Sequence, residues 1–285
     1  MTYKLVFSSA MRLHWLQVIS KAITDIPVVD GDIVLCLFPG ISQDQMRPEH
    51  VVSFACLVEY FDQKGVGVNI DDTDQIYPYL MEQLKLSDYW MKRQDYVKSW
   101  NENILNLWRF DPQGMEMHAL RIKEYLQNTF FKKKDLIAVA SSLTEAFYNI
   151  MDHAYCQNAF SLVSFDEDRE VLNVAVCDFG IGIPTSVRKV RPDIVDDKQA
   201  LKKAMMVRFT VKSTSHNAGY GLDNIRQCCT EDDYLWIISN KAALVVNGDI
   251  ERVYDIGFNF VGTLLLYSIS LSHFEDEEMV DDFKW

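Results

Sequence analysis

Hydrophobic and polar residues alternate between helical and strand-like patterns in the N-terminal third of the chain. Ala10–Ile23, Pro48–Gln63 and Ile76–Leu86 carry apolar residues at helical spacing. Asp32–Phe38 and Val66–Ile70 are short apolar runs typical of buried strands. Helices that alternate with strands in this order predict a small α/β unit with a right-handed crossover.

Strand-like patterns dominate the remainder of the chain. Ala159–Phe165 and Val171–Cys177 predict a hairpin, because only the charged turn Asp166–Glu170 separates them. Ile104–Phe110 predicts a strand and Gly114–Phe131 an amphipathic helix. Further strands are expected at Asp233–Ser239, Ala242–Val246 and Phe260–Leu271.

The polar, aromatic-spotted stretch Asp88–Asn103 is the expected boundary between two units. The acidic stretch Glu275–Asp282 is expected to be solvated. We therefore expect a small α/β domain over residues 1–100, a larger domain over 101–271 and an acidic tail over 272–285.

The segment Leu136–Tyr155 predicts a helix with two different faces. Leu143 and Phe147 fall on the apolar face, and Glu145, Asn149 and Asp152 fall on the opposite one. A carboxylate and a carboxamide one turn apart suit a Mg²⁺ ion and the activation of a nucleophile. An amphipathic helix that merely exposes these polar residues explains the pattern equally well.

Three glycine-containing motifs follow this helix. Asp178 ends an apolar run and precedes Gly180 and Gly182, and residues 219–222 read Gly-Tyr-Gly-Leu. Gly262 precedes Thr263 at the start of the last apolar run. Taken alone, the first motif predicts only a tight turn, whereas glycines at a helix start also form a cradle of backbone N–H groups for phosphate.

The four motifs together, in the order E-x-x-x-N, D-x-G-x-G, G-x-G-L and G-T, resemble the GHKL superfamily of gyrase B, Hsp90, histidine kinases and MutL. The resemblance covers roughly Asn101 to Leu271. It implies an α+β fold, a two-layer α/β sandwich whose mixed sheet carries helices on one face. It also implies ATP and Mg²⁺ as cofactors.

The resemblance implies a role for each motif residue. Glu145 would be the catalytic base, Asn149 the Mg²⁺ ligand and Asp178 the acceptor of a hydrogen bond from the adenine amino group. Thr263 would support Asp178 through its hydroxyl group. The other expected nucleotide contacts are Asp152, His153, Gly180, Gly182, Ile183, Lys212, Gly219, Tyr220, Gly221 and Leu222.

The long, locally basic segment Pro184–Ala218 corresponds to the mobile ATP lid of that family. Its cations, Lys212 above all, would offset the charge of the triphosphate. Simple surface charge accounts for each of these cations equally well.

Composition limits the classes of partner and compartment. The formal net charge of −13 argues against general nucleic-acid binding, which requires a cationic surface. The sequence contains neither a transmembrane-length apolar run nor a signal peptide, so a cytoplasmic location without membrane association is expected. The six cysteines lack C-x-x-C spacing, which favours reduced thiols. The six histidines show no metal-ligand spacing, which argues against a zinc site.

The run from Asn149 to Tyr155 resembles the corresponding box of anti-sigma-factor kinases more than that of histidine kinases. The expected function is thus an ATP- and Mg²⁺-binding regulatory protein of the anti-sigma-factor or serine/threonine-kinase type. The expected partners are ATP, ADP and a sigma-factor-like or antagonist-like protein. The N-terminal unit weakly resembles STAS domains. A non-catalytic, nucleotide-gated interaction module, a histidine-kinase-like ATPase and a homodimer remain alternatives.

Overall fold

The structure is a computed structural model of the 285-residue chain. It describes residues 1–71, 76–87, 104–110, 115–129, 131, 135–137, 140, 141, 143, 144, 147, 148, 159–206, 229 and 231–270. Every structural statement below concerns these residues.

The N-terminal unit contains a three-stranded parallel sheet in the order β1-β2-β3. Its strands and helices are β1 (Thr2–Val6), α1 (Arg12–Asp25), β2 (Ile33–Leu37), α2 (Pro48–Asp62) and β3 (Gly67–Ile70). The predictions for α1, β2, α2 and β3 are confirmed, whereas β1 was not predicted. The predicted helix Ile76–Leu86 is shorter: α3 (Ile76–Pro78) continues as a π-helical turn (Tyr79–Gln83).

The larger sheet has five strands in the order β4-β5-β6-β8-β7. They are β4 (Ile104–Phe110), β5 (Ala159–Asp166), β6 (Val171–Asp178), β7 (Tyr234–Asn247) and β8 (Ile250–Ser270). The predicted hairpin of β5 and β6 is confirmed. β7 and β8 form one long hairpin, whereas the sequence predicted shorter, separate strands.

Helices cover one face of this sheet. They are α4 (Met115–Thr129), α5 (Ile183–Val190), α6 (Asp197–Ala204) and the described helical residues between 137 and 148. Side chains from the helices and from β5–β8 form a continuous apolar core. Leu143 and Phe147 are buried in it, as predicted from their positions on the apolar helical face.

The opposite face of the sheet is also covered, by α1 and α2 of the N-terminal unit. Phe160, Ala175 and Leu264 of the large sheet share one apolar core with both helices. α2 can fill this position because its apolar residues lie all around it rather than on one stripe. The α+β class is confirmed, but the sheet differs from the expected one: its described strand pairs are all antiparallel, and helices cover both of its faces.

The segment predicted as a mobile lid is helical in its described part. α5 buries Pro184 and Val187, and α6 buries Ala200 and Leu201. Asp196 caps α6 by accepting a hydrogen bond from the Gln199 N–H. α5 and α6 therefore pack in the helical layer, so this part of the segment is more regular than the sequence predicted, while its role as a lid stays a prediction.

Candidate functional site

On the face of the large sheet that α4, α5 and α6 cover, the apolar side chains give way to a row of three polar side chains on adjacent strands. Asp178 on β6 pairs with Thr263 on β8, which in turn pairs with Ser239 on β7. One step further into the sheet, the same face carries Val176, Leu265 and Ile237, all of them buried in the helical-face core. The polar row therefore lies at the edge of this core, beneath the start of α5.

Asp178 is fully buried, and only one of its two carboxylate oxygens accepts a hydrogen bond from a described residue. Its Oδ1 accepts a hydrogen bond of 2.6 Å from the Gly180 N–H. Its Oδ2 has no hydrogen-bond partner in the described part of the chain. Burial raises the pKa of Asp178 to about 7, against the opposing effect of the Gly180 and Thr263 backbone amides. Such an oxygen can accept a hydrogen bond from a ligand.

Gly262 allows β8 to pass directly beside Asp178. Its φ angle is +86°, and a Cβ atom at this position would lie 2.1 Å from the carbonyl oxygen of Asp178. The contacting atom belongs to the backbone of a central strand, so a side-chain rotation cannot relieve the clash. This close approach explains the glycine in the G-T motif.

We expect Gly262→Ala to lower the free energy of unfolding by about 3 kcal/mol or more, because a backbone clash adds to the left-handed φ. Gly257→Ala is the matched control, since Gly257 has a φ of +76° and open space around its Cβ position. Its expected loss is about 1 kcal/mol. Urea denaturation of both variants measures the difference, and equal losses would rule out the clash.

Thr263 is fully buried and differs from its predicted role. Its hydroxyl oxygen lies 3.1 Å from the Ser239 hydroxyl, and the hydroxyl does not hydrogen bond to the Asp178 carboxylate. Thr263 favours the charged form of Asp178 through its backbone N–H instead. The correction follows from strand pairing, which places Thr263 between Asp178 and Ser239.

The loop after β6 ends at the first turn of α5. Gly182 has a φ of +81° and precedes Ile183, whose side chain is buried in the core. The Ile183 N–H donates to the Ser239 hydroxyl at 2.9 Å. The structure thus brings Asp178, Gly180, Gly182, Ile183 and Thr263 together, and their roles toward a nucleotide stay predictions.

Ser239 and Asn240 belong to the same site and were not predicted. Asn240 has a φ of +50°, and the pairing of β7 with β8 shifts register at this point. A polar Ser-Asn pair inside an otherwise apolar strand was the available signal. The sequence predicts one strand that ends at Ser239 and another that begins at Ala242, so Asn240 falls in the predicted gap between them.

The remaining predicted site residues lie outside the described residues, so the structure adds nothing to their predicted roles. They are Glu145, Asn149, Asp152, His153, Lys212, Gly219, Tyr220, Gly221 and Leu222. In the part that the structure describes, no group of His, Cys, Asp and Glu side chains is arranged to hold a metal ion.

His118 of α4 is a buried histidine in the helical-face layer. Its Nε2 shares a hydrogen bond with the Ser161 hydroxyl, and its ring stacks on Phe147 at 5.2 Å between centroids. Burial lowers its pKa to about 3, so the imidazole stays neutral.

No protein-family model matches the chain, and no curated protein matches it. Within the described ranges, no helix is long and apolar enough to cross a membrane.

Proposed function

We propose that this chain binds ATP together with Mg²⁺ and acts as a regulatory protein of the GHKL type. The observation that carries the proposal is the Asp178 carboxylate, which is buried at the end of β6 and has one oxygen without a hydrogen-bond partner among the described residues. A buried carboxylate without a partner costs free energy, which a ligand donor would recover. Gly180, whose N–H donates to the other oxygen of this carboxylate, adds no side chain beside that donor.

The exocyclic amino group of adenine suits this acceptor. Adenine presents an exocyclic amino group where guanine presents a carbonyl oxygen. The amino group donates to Asp178, whereas the carbonyl oxygen would face a second acceptor. In that orientation the carboxylate favours adenine, whereas guanine would have to turn its N1–H and N2 amino groups toward Asp178.

The catalytic roles rest on the sequence motifs. Asn149 would hold Mg²⁺, which neutralises phosphate charge when bound, and residues 219–222 would cradle the phosphates. Glu145 would take the proton from a serine hydroxyl or a water as that oxygen attacks the γ-phosphorus. The γ-phosphoryl group then passes to the attacking oxygen, and ADP leaves.

The N-terminal unit gives a regulatory role physical support. The Cys56 thiol of α2 donates to the Cys177 carbonyl oxygen at 3.2 Å, directly before Asp178. Tyr60 of α2 lies against Phe179, with ring centroids 6.4 Å apart. A protein partner that moves α2 would therefore disturb the residues on both sides of Asp178. We propose a partner of the sigma-factor or antagonist type for this unit, and a cytoplasmic location.

The competing hypotheses differ in turnover. A nucleotide-gated interaction module would bind ATP without releasing phosphate. A histidine-kinase-like mechanism through His118 would require its ring to leave the apolar core, where it shares a hydrogen bond with Ser161 and stacks on Phe147.

The first test is calorimetric titration of the full chain with ATP, with and without Mg²⁺, followed by a phosphate-release assay on the same sample. Mg²⁺-dependent binding with release supports an ATPase or kinase. Binding without release selects the gated module, and the absence of binding overturns the proposal.

The affinity for adenosine is expected to depend on pH, because the adenine amino group donates to the ionised form of Asp178. The pKa of this carboxyl is about 7 without ligand, so protons compete with the base below that value. We expect affinity to fall by up to about tenfold for each pH unit below 7 and to be constant above it. Adenosine is the suitable ligand because it carries no titrating phosphate. An affinity that stays the same between pH 5.5 and pH 8 would contradict this mechanism.

A further inference from the structure

Ser239 and Asn240 interrupt the apolar pattern of β7 at the point where its register with β8 shifts. Asn240 adopts the left-handed conformation that asparagine tolerates better than most residues. Both side chains are buried or nearly so. Two buried polar side chains at a strand irregularity require partners, and both find them in the loop that follows Asp178.

The Ser239 hydroxyl connects three segments of the site. It donates to the Gly262 carbonyl oxygen at 2.8 Å and accepts from the Ile183 N–H at 2.9 Å. Because its single proton is used, the neighbouring Thr263 hydroxyl at 3.1 Å must donate to it. Every hydrogen-bonding position of this hydroxyl is thus occupied by the glycine loop or by the strand beside Asp178.

The Asn240 amide spans the loop on either side of Gly182. Its Nδ2 donates to the Ile181 carbonyl oxygen at 3.3 Å. Its Oδ1 accepts from the Thr185 N–H at 3.3 Å and from the Thr185 hydroxyl at 3.1 Å. A Cβ atom on Gly182 would lie 2.7 to 2.8 Å from polar atoms of Ser239 and Asn240, so the loop lies directly on this pair.

We propose that Ser239 and Asn240 are positioning residues that hold residues 181–185 against the sheet and thereby fix the walls of the base pocket at Asp178. Neither side chain touches the base. The inference rests on the proposed ATP binding and extends it to residues that no sequence motif contained.

The test compares two isosteric substitutions in the same strand. Asn240→Asp replaces the donor to Ile181 with a repelling oxygen. Asn247→Asp is the matched control, since the Asn247 amide also donates to backbone carbonyl oxygens, those of Glu231 and Asp233, at the other end of β7. Asn240→Gly removes the amide but keeps the left-handed backbone free of strain.

Binding of ATP and of inorganic tripolyphosphate is measured for each variant with Mg²⁺, beside the melting temperature. We expect Asn240→Asp and Asn240→Gly to weaken ATP binding about tenfold and to leave tripolyphosphate binding unchanged, because only the base pocket is affected. Asn247→Asp is expected to bind both ligands as the unchanged protein does.

The inference is overturned if the variants at positions 240 and 247 lose ATP affinity equally. It is also overturned if the position 240 variants lose affinity for ATP and tripolyphosphate in parallel, because either result would show only a general structural role for Ser239 and Asn240. Unchanged ATP affinity in both position 240 variants would overturn it as well. If the unchanged protein itself fails to bind ATP, the proposed function is wrong and the inference falls with it.

Discussion

Asp178→Asn is expected to lower the affinity for ATP by about a hundredfold while leaving the protein folded, since a charge-assisted hydrogen bond is replaced by a mismatched amide. The asparagine Oδ1 can still accept from the Gly180 N–H. Its NH₂ group, in the place of Oδ2, would then face the adenine amino group donor to donor. Calorimetry with ATP measures the loss.

The same substitution is expected to stabilise the unliganded protein above pH 7. Burial raises the pKa of Asp178 to about 7 in the folded protein, from an ordinary value of 3.8. The folded form therefore binds the proton more tightly, and its stability falls as pH rises from about 4 to 7. Removing the ionisable group should raise the free energy of unfolding by roughly 2 kcal/mol at pH 8. Greater stability with lost binding distinguishes a ligand-binding group from a structural one.

Asp233→Asn is the matched control for this prediction. Asp233 is also buried, but it lies at the opposite end of the sheet, where its carboxylate accepts from the Ser270 N–H. We expect ATP affinity to be unchanged in this variant. Normal ATP binding by Asp178→Asn would invalidate the whole site assignment.

Local sequence patterns were sufficient to predict the elements that position Asp178. The hairpin of β5 and β6 has clear strand patterns on both sides of a charged turn, and its second strand ends at Asp178. The G-T motif that contains Gly262 was recognised from the sequence. The pairing of β8 with β6 explains why a glycine is needed there, since it brings Gly262 against the backbone of Asp178. Patterns that span a few residues report local structure reliably because their cause is local.

Features that depend on strand pairing and domain packing could not be predicted in the same way. Thr263 contacts Ser239 rather than the Asp178 carboxylate because β8 lies between β6 and β7. The position of α2 against the large sheet depends on contacts between residues far apart in the chain, such as Cys56 with Cys177. The apolar residues on all sides of α2 nevertheless indicate a helix that packs between two layers.

Glu145→Ala is expected to reduce phosphate release by at least about a hundredfold, because a positioned general base contributes that much to a proton transfer. ATP affinity should change less than about threefold, since the base acts on the nucleophile rather than on the nucleotide. Single-turnover phosphate release measures the first quantity and calorimetry the second. Loss of turnover with retained binding is the signature of a group used only in the chemical step.

Glu124→Ala is the control for removing a helical glutamate, because Glu124 lies exposed on α4. It should leave both binding and release unchanged. Retained release in Glu145→Ala would assign the base to another residue, whereas loss of ATP binding would make Glu145 a ligand-binding or structural group. Glu145→Gln separates these roles further, because it keeps the size of the side chain and removes only its ability to take a proton. An enzyme loses turnover in both variants, while a nucleotide-gated module has no turnover to lose.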